Sequence, residues 1–330
     1  MNLKVAHIYA SNAKSNSGDF MIGIATKAYF KEEILQYNGK IDFVNLDCRN
    51  KDLFSNSNID KFNNFDYIIV GSGGLILPDS SPNKISCWQW IISKENIKKI
   101  MKPIYVISIG WNLFFNQNMN MPKRDSNYQD KSRTSIFKDN ISTLIEKSQQ
   151  FTLRHKSDVE NLLNIVGYKY DKKVLYEMCP TVWYVKKYWK PKMNNINQKF
   201  FAIEIKDDRQ WRRYHKIDMK RYYEYLLNIV NTHIKNKEKI LYLSHDGSRS
   251  FYMYLRQNNI NIPYLDNSCA DEKKILENYS KIHTIYCSAG HSQMISYGLG
   301  IKIISLISHP KLKNFCDDIG DKNGININEL

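Results

Sequence analysis

No apolar run in this chain approaches the roughly 18 residues that a membrane-crossing helix needs. Even residues 301–307 contain Lys302 and stop at Ser308. The start of the chain has neither a basic leader region nor an apolar stretch of signal-peptide length, and passes directly into the alternating run Leu3-Lys4-Val5-Ala6-His7-Ile8-Tyr9. A cytoplasmic protein is therefore expected, with any membrane contact peripheral and at the inner face. Paired cysteine spacing is absent too. Cys48, Cys87, Cys179, Cys269, Cys287 and Cys316 form no C-x-x-C and no Cys/His ligand pattern, which argues against a zinc module or disulfide framework and for reduced, structural thiols. No carboxylate cluster has metal-ligand spacing, so no metal or other cofactor is expected. Repeats of 20 to 50 residues are lacking, which sets aside solenoids and propellers.

Acid is also scarce. The 33 Asp and Glu face 48 Lys and Arg, a formal +15 that favours phosphorylated small molecules, polyanions or an anionic membrane surface as partners. Nucleic acid is not expected, because no recognition motif is present and the basic residues do not gather in one patch. What is present is core-forming material: 330 residues, 42% hydrophobic and 13% aromatic, enough for one large core or two medium ones. Strand-like runs at 4–9, 41–46, 67–70 and 104–109 alternate with helical periodicity at 20–36 and 84–99. The rhythm restarts with strands at 200–205, 240–243, 284–287 and 302–307 and helices at 219–235, 249–257 and 271–281. Repeated β-α-β units of this kind predict an α/β fold of two Rossmann-like lobes with a cleft between them. The polar stretch 185–199, with Pro191, is the predicted linker, which divides the chain into 1–190 and 191–330.

In such sheets ligands collect at the carboxyl ends of the strands, so residues there carry most weight. Ser15-Asn16-Ser17-Gly18-Asp19 opens a helix after the first strand and reads equally as an anion-binding turn or a plain cap. It lacks the Gly-Lys-Ser/Thr ending of a Walker loop. Gly71-Ser72-Gly73-Gly74 would let a substrate approach the backbone. Trp111 and Asn112 follow another strand, where Trp111 either stacks on a sugar or fills the core. Arg154 stands between a strand and a helix, suited to holding phosphate or carboxylate or to an ordinary surface pair, and His155 beside it is expected to face solvent. His245-Asp246 reads as an acid/base pair or as a turn. The densest cluster is Ala289-Gly290-His291-Ser292-Gln293, which lies between two apolar strands, the second of which ends in Ser308-His309-Pro310-Lys311. That pattern aims an imidazole and a helix N-terminus at one point, with a core histidine as the alternative.

The order Ser17-Gly18-Asp19, Gly71–Gly74, Gly110-Trp111-Asn112, Leu153-Arg154 with Ser157, Gly290-His291 and Lys311 resembles that of the polysaccharide pyruvyl transferase family across nearly the whole chain. The resemblance implies a GT-B-like architecture and transfer of a pyruvyl group from phosphoenolpyruvate onto a pair of sugar hydroxyls as a ketal, in surface glycan biosynthesis such as capsule, lipopolysaccharide or exopolysaccharide. It implies His291 as general acid, with Asp19 or His245 taking the hydroxyl proton. The donor would be held by Arg154, Lys311, Gly290 and Ser292, and a sugar, oligosaccharide or lipid-linked saccharide acceptor by Gly73, Gly74, Trp111 and Asn112. One position departs: the family usually carries Arg two residues before the histidine, and this chain has Ala289. Two other readings stand beside it, a GT-B-type glycosyltransferase using a nucleotide sugar and a non-catalytic glycan-binding member of the family.

Overall fold

The computed structural model describes residues 2–11, 16–189, 200–206, 208–214 and 216–330. The chain divides into two compact units, one of residues 1–13 and 22–180, the other of residues 14–21 and 181–330.

The first unit is a six-stranded sheet built from β1 (Leu3–Tyr9), β2 (Ile41–Asp47), β3 (Tyr67–Ile76), β4 (Ile104–Trp111), β5 (Ser148–Leu153) and β6 (Val174–Tyr176), in the order β2-β1-β3-β4-β5-β6. Every pairing is parallel. Its helices are α1 (Ser17–Tyr29), whose first residues Ser17 to Met21 belong to the second unit, α2 (Lys94–Lys99), α3 (Ser132–Lys147) and α4 (Lys156–Val166). Strands covered on both faces are apolar in succession rather than alternately. Thus Ile68, Val70, Ile104 and Val106 pack toward Phe137, Ile141 and Leu144 of α3. Their neighbours Ile69 and Ile107 pack with Val5 and Phe30 in a separate cluster.

The second unit follows α5 (Pro180–Tyr188) with β7 (Phe200–Glu204), α6 (Gln210–Arg213), α7 (Met219–Lys235), β8 (Ile240–Ser244), α8 (Ser250–Gln257) and β9 (Tyr264–Asp266). It continues through α9 (Glu272–Ser280), β10 (Ile282–Cys287), α10 (Gly290–Gly298), β11 (Lys302–Ile307), α11 (Pro310–Ile319) and β12 (Ile325–Asn326). From one edge the strands run β9-β8-β7-β10-β11-β12, all parallel. Numbered within the unit, that is 3-2-1-4-5-6, the doubly wound order whose ligands bind where the order reverses, here between β7 and β10. The amphipathic helices α7 and α8 supply Tyr222, Leu226, Val230, Phe251 and Leu255 to a core with Ile203, Ile240 and Tyr242. The α/β class and the two Rossmann-like lobes are therefore as expected.

Three local expectations differ. The helix predicted over 84–99 is confined to α2, where Ser93 caps the start by accepting from Asn96 N–H. The preceding residues instead bend around Asn83, whose Oδ1 accepts the amides of Ile85, Ser86 and Cys87. Buried Arg133 organises them by donating to the carbonyls of Asn83, Pro78, Cys87 and Met119. The glycine run Gly71–Gly74 lies within β3 rather than in a turn after it. Val185 to Tyr188 of the predicted linker form the last turn of α5, while 190–199, including the predicted boundary, lie outside the described residues. No helix among the described residues is long and apolar enough to cross a membrane.

Candidate functional site

The second unit gathers the chemistry at its strand-order reversal. β7 ends in Glu204, and β10 ends in Cys287 just before Ser288 and Ala289. Ala289 is the residue that precedes α10 and has no side-chain oxygen to cap it. Glu204 supplies the missing acceptor from the neighbouring strand: its Oε2 receives the Ser288 N–H at 3.1 Å and the Ala289 N–H at 2.9 Å. An unsatisfied helix N-terminus is thereby tied to a buried carboxyl. Burial pushes the Glu204 carboxyl up to about 7, against the opposing pull of Lys206, the two amides and Arg213. Lys206 donates its own N–H to Ser288 Oγ at 2.6 Å, and its ammonium pairs with Asp246. Burial lowers the Lys206 ammonium from its ordinary value. Arg213, 2% exposed, donates to Asp208 Oδ1 at 3.1 and 3.0 Å and to Ser308 Oγ at 3.1 Å. Burial works against an ionised Asp208, but Arg213, Lys206 and Lys311 outweigh it and hold the carboxyl low.

In front of this charged layer, residues far apart in sequence meet at Gly18. Ser17 donates Oγ to the His245 carbonyl at 2.7 Å, which fastens the start of α1 to the turn after β8. Asn16 Oδ1 accepts the Gly18 amide at 3.0 Å, and its Nδ2 donates to Asp19 Oδ2 at 3.0 Å. A Cβ on Gly18 would run into the His291 ring and stand 2.6 Å from His245 Nε2, so the bare glycine is what lets both imidazoles close on this point. The two rings lie 5.6 Å apart, and His291 Nε2 is 3.9 Å from Asp19 Oδ1. His291, in the first turn of α10, is partly exposed; His245 is buried, and burial with the charge of Lys206 drives it down to about 3, so it stays neutral. A Cβ on Gly290 would lie 3.4 Å from Lys311 Cε, which places the lysine stem along the same helix end. Asp19, His245, Gly290, His291 and Lys311 are thus brought together. Ser292 lies beside them but is fully buried, and its Oγ receives the Tyr279 hydroxyl at 2.9 Å.

Arg154, Gly73, Gly74, Trp111 and Asn112 belong to the first unit. Gly74 and Asn112 are neighbours, since a Cβ on Gly74 would stand 2.7 Å from Asn112 Nδ2. Gly73 adopts φ +115 and has open space around it. Trp111 is partly buried, packs edge-on to Phe137 at 6.2 Å, and has its backbone N–H held by Asp158 at 3.0 Å. Arg154 is 3% exposed and lies against Gly110, with Nε and Nη2 lacking hydrogen-bond partners among the described residues. A buried guanidinium with open donors is unlike the surface pair that base rates favour. His155 is not solvent-facing: it is fully buried at the position that precedes α4, where its carbonyl receives the Asp158 amide.

Glu204, Lys206, Asp208, Arg213 and Tyr279 were not anticipated from sequence. The first three sit directly at the end of an apolar strand run, where the strand-end rule would have found them. Tyr279 sits in an amphipathic helix and carries no such signal. Among the described residues no group of three or more His, Cys, Asp or Glu could hold a metal ion.

The chain is similar in fold to the UDP-GlcNAc 2-epimerase of Methanocaldococcus jannaschii, solved with UDP-GlcNAc and UDP, at 11% identity and TM-score 0.52, covering 98% of this chain and 88% of that one. It is likewise similar to S. aureus MnaA, solved with UDP, at 12% identity and TM-score 0.51, covering 98% and 84%. Both share its two Rossmann-like lobes in a GT-B-like architecture. No protein of curated function matches the chain. The profile of the family described as polysaccharide pyruvyl transferase matches residues 16–310, from the turn before Gly18 to the start of α11. With Asp19, His245 and His291 meeting inside that span, the chain belongs to the polysaccharide pyruvyl transferase family.

Proposed function

We propose that this chain transfers a pyruvyl group from phosphoenolpyruvate to two hydroxyls of a sugar, closing a ketal on a surface glycan precursor in the cytoplasm. The observation that carries the reading is the pair of unlike imidazoles at Gly18: His291 partly exposed beside a carboxylate, His245 buried and neutral. Environments that separate two titratable groups in this way assign an acid and a base. His291 gives its proton to the methylene carbon of phosphoenolpyruvate, which leaves the adjacent carbon electrophilic. A sugar hydroxyl adds there and gives its proton to His245 Nε2. The carbon–oxygen bond to phosphate breaks with its electron pair on phosphate, and the second hydroxyl closes the ring. Two hydroxyl protons are lost; one replaces that spent on carbon, and the other leaves as hydrogen phosphate. Asp19, 3.9 Å from His291, favours the imidazolium that the first step requires. Lys311 and the amides at the start of α10 attract the donor's negative charges. Arg154, with its open guanidinium donors, is the anion-holding group of the first unit.

This reading requires no metal or organic cofactor. Trp111 and Asn112 are proposed for the acceptor, Trp111 as an apolar face and Asn112 through its unpartnered Oδ1. The test is phosphate release from phosphoenolpyruvate with a panel of methyl hexopyranosides bearing adjacent free hydroxyls. His291→Ala is expected to abolish it, and activity within tenfold of wild type would refute the acid role. Thermal stabilisation by UDP or GDP but not by phosphoenolpyruvate would instead favour a nucleotide-sugar donor.

A further inference from the structure

His245 is buried on every side, and the hydrogen bonds around it decide which of its nitrogens carries the proton. Tyr279 in α9 donates its hydroxyl to Ser292 Oγ at 2.9 Å, and the same hydroxyl lies 3.3 Å from His245 Nδ1. A phenol has one proton. Once that proton is directed to Ser292, the Tyr279 oxygen faces His245 as an acceptor only, and the hydrogen bond exists only if Nδ1 holds the imidazole proton. Nε2 is then a bare lone pair. It is buried, has no hydrogen-bond partner among the described residues, and lies against Gly18 beside His291. Burial holds the Tyr279 phenol well above its ordinary value, so its proton is retained under all working conditions.

We infer that Tyr279 is a positioning residue that, with Ser292 as the acceptor of its proton, fixes His245 as the Nδ1–H tautomer and turns a basic Nε2 toward Gly18 and His291. Ser292 thereby serves the histidine two steps away rather than a ligand, which accounts for its complete burial in the first turn of α10. The direction of the chain also makes an unusual demand. Removal of the serine hydroxyl frees the tyrosine proton to turn to Nδ1, which inverts the tautomer and caps Nε2 with hydrogen, although nothing touching His245 has been changed.

The tautomer itself is independent of the reaction; only its kinetic consequence rests on the base role proposed above for His245. The experiment is nitrogen-15 NMR of the imidazoles in the full-length protein and in Tyr279→Phe and Ser292→Ala, followed by steady-state phosphate release with the same acceptor panel. Wild type is expected to show His245 protonated at Nδ1 and bare at Nε2. Ser292→Ala is expected to show the reverse, and Tyr279→Phe a mixture. In Ser292→Ala kcat falls about a hundredfold or more, and in Tyr279→Phe only about a few-fold, in proportion to the His245 that carries its proton on Nε2, while KM for phosphoenolpyruvate stays within about twofold in both, since a base rather than a donor contact is lost. An Nδ1–H His245 in all three proteins, or an Nε2–H His245 in wild type, overturns the inference. A tautomer that inverts while kcat holds upholds the inference and overturns the base role, so the two fail separately.

Discussion

At the scale of single residues, the site turns on an atom that is missing. Gly18 has its backbone against two imidazoles, and Gly18→Ala forces at least one ring away because the new methyl would overlap His291 and press on His245. We expect phosphate release to fall about a hundredfold, the loss associated with displacing an acid or base, with little change in the thermal unfolding midpoint. A variant of wild-type activity would mean that the rings need not meet there. Asp19, His245, His291 and Lys311 were legible in the sequence because each follows an apolar run that could only be a buried strand or opens the helix after one. Tyr279 was not, since a tyrosine on the apolar face of a helix looks like any packing residue until its hydroxyl finds Ser292 on another helix. His155, expected to face solvent, is buried along with Arg154 beside it, because the junction between β5 and α4 is enclosed and neither side chain is left at the surface.

Among the elements, α10 depends on β7 for its cap. Glu204→Ala strands the Ala289 amide at about 1–3 kcal/mol, while the Ser288 amide keeps the Glu204 main-chain carbonyl at 3.1 Å, and Glu204→Gln keeps a side-chain acceptor in place. The folded carboxyl, at about 7, lies above the 4.5 of an exposed glutamate, so its contribution to stability is full below 4.5 and is lost as the pH rises through 7. Glu204→Gln does not titrate. Its stability relative to wild type should therefore rise between those pH values, by on the order of 3 kcal/mol, read from urea unfolding at several pH values. A constant difference would show that Glu204 ionises as though exposed. The same dependence of one element on another explains the short α2. Periodicity over 84–99 suggested a helix, but Arg133, more than thirty residues on, holds the carbonyls of Pro78, Asn83 and Cys87 in other directions. No local pattern reports a guanidinium supplied from α3.

For the whole molecule, each unit contains a histidine that burial keeps neutral: His7, whose ring bonds to the Gly71 carbonyl, and His245. Burial depresses both to about 3. Stability from each is present above the unfolded value of 6.5 and is lost as the pH falls through the folded value. At pH 5 the loss is about 2 kcal/mol for each histidine. His7→Gln and His245→Asn should each remove about one histidine's share of the acid sensitivity, seen as a smaller shift of the urea midpoint between pH 7 and pH 5. Unchanged sensitivity in either variant would place that imidazole in contact with water. The division of the chain, finally, has a consequence for inheritance. Residues 14–21 belong with 181–330, so the half of the gene that encodes His245, His291 and Lys311 does not encode Asp19, Gly18 or the serine that fastens them. Recombination that joins the back half of one relative to the front half of another would separate His291 from Asp19. The opening of α1 and the turn bearing His245 must therefore have been selected as one piece, across a gap of most of the chain.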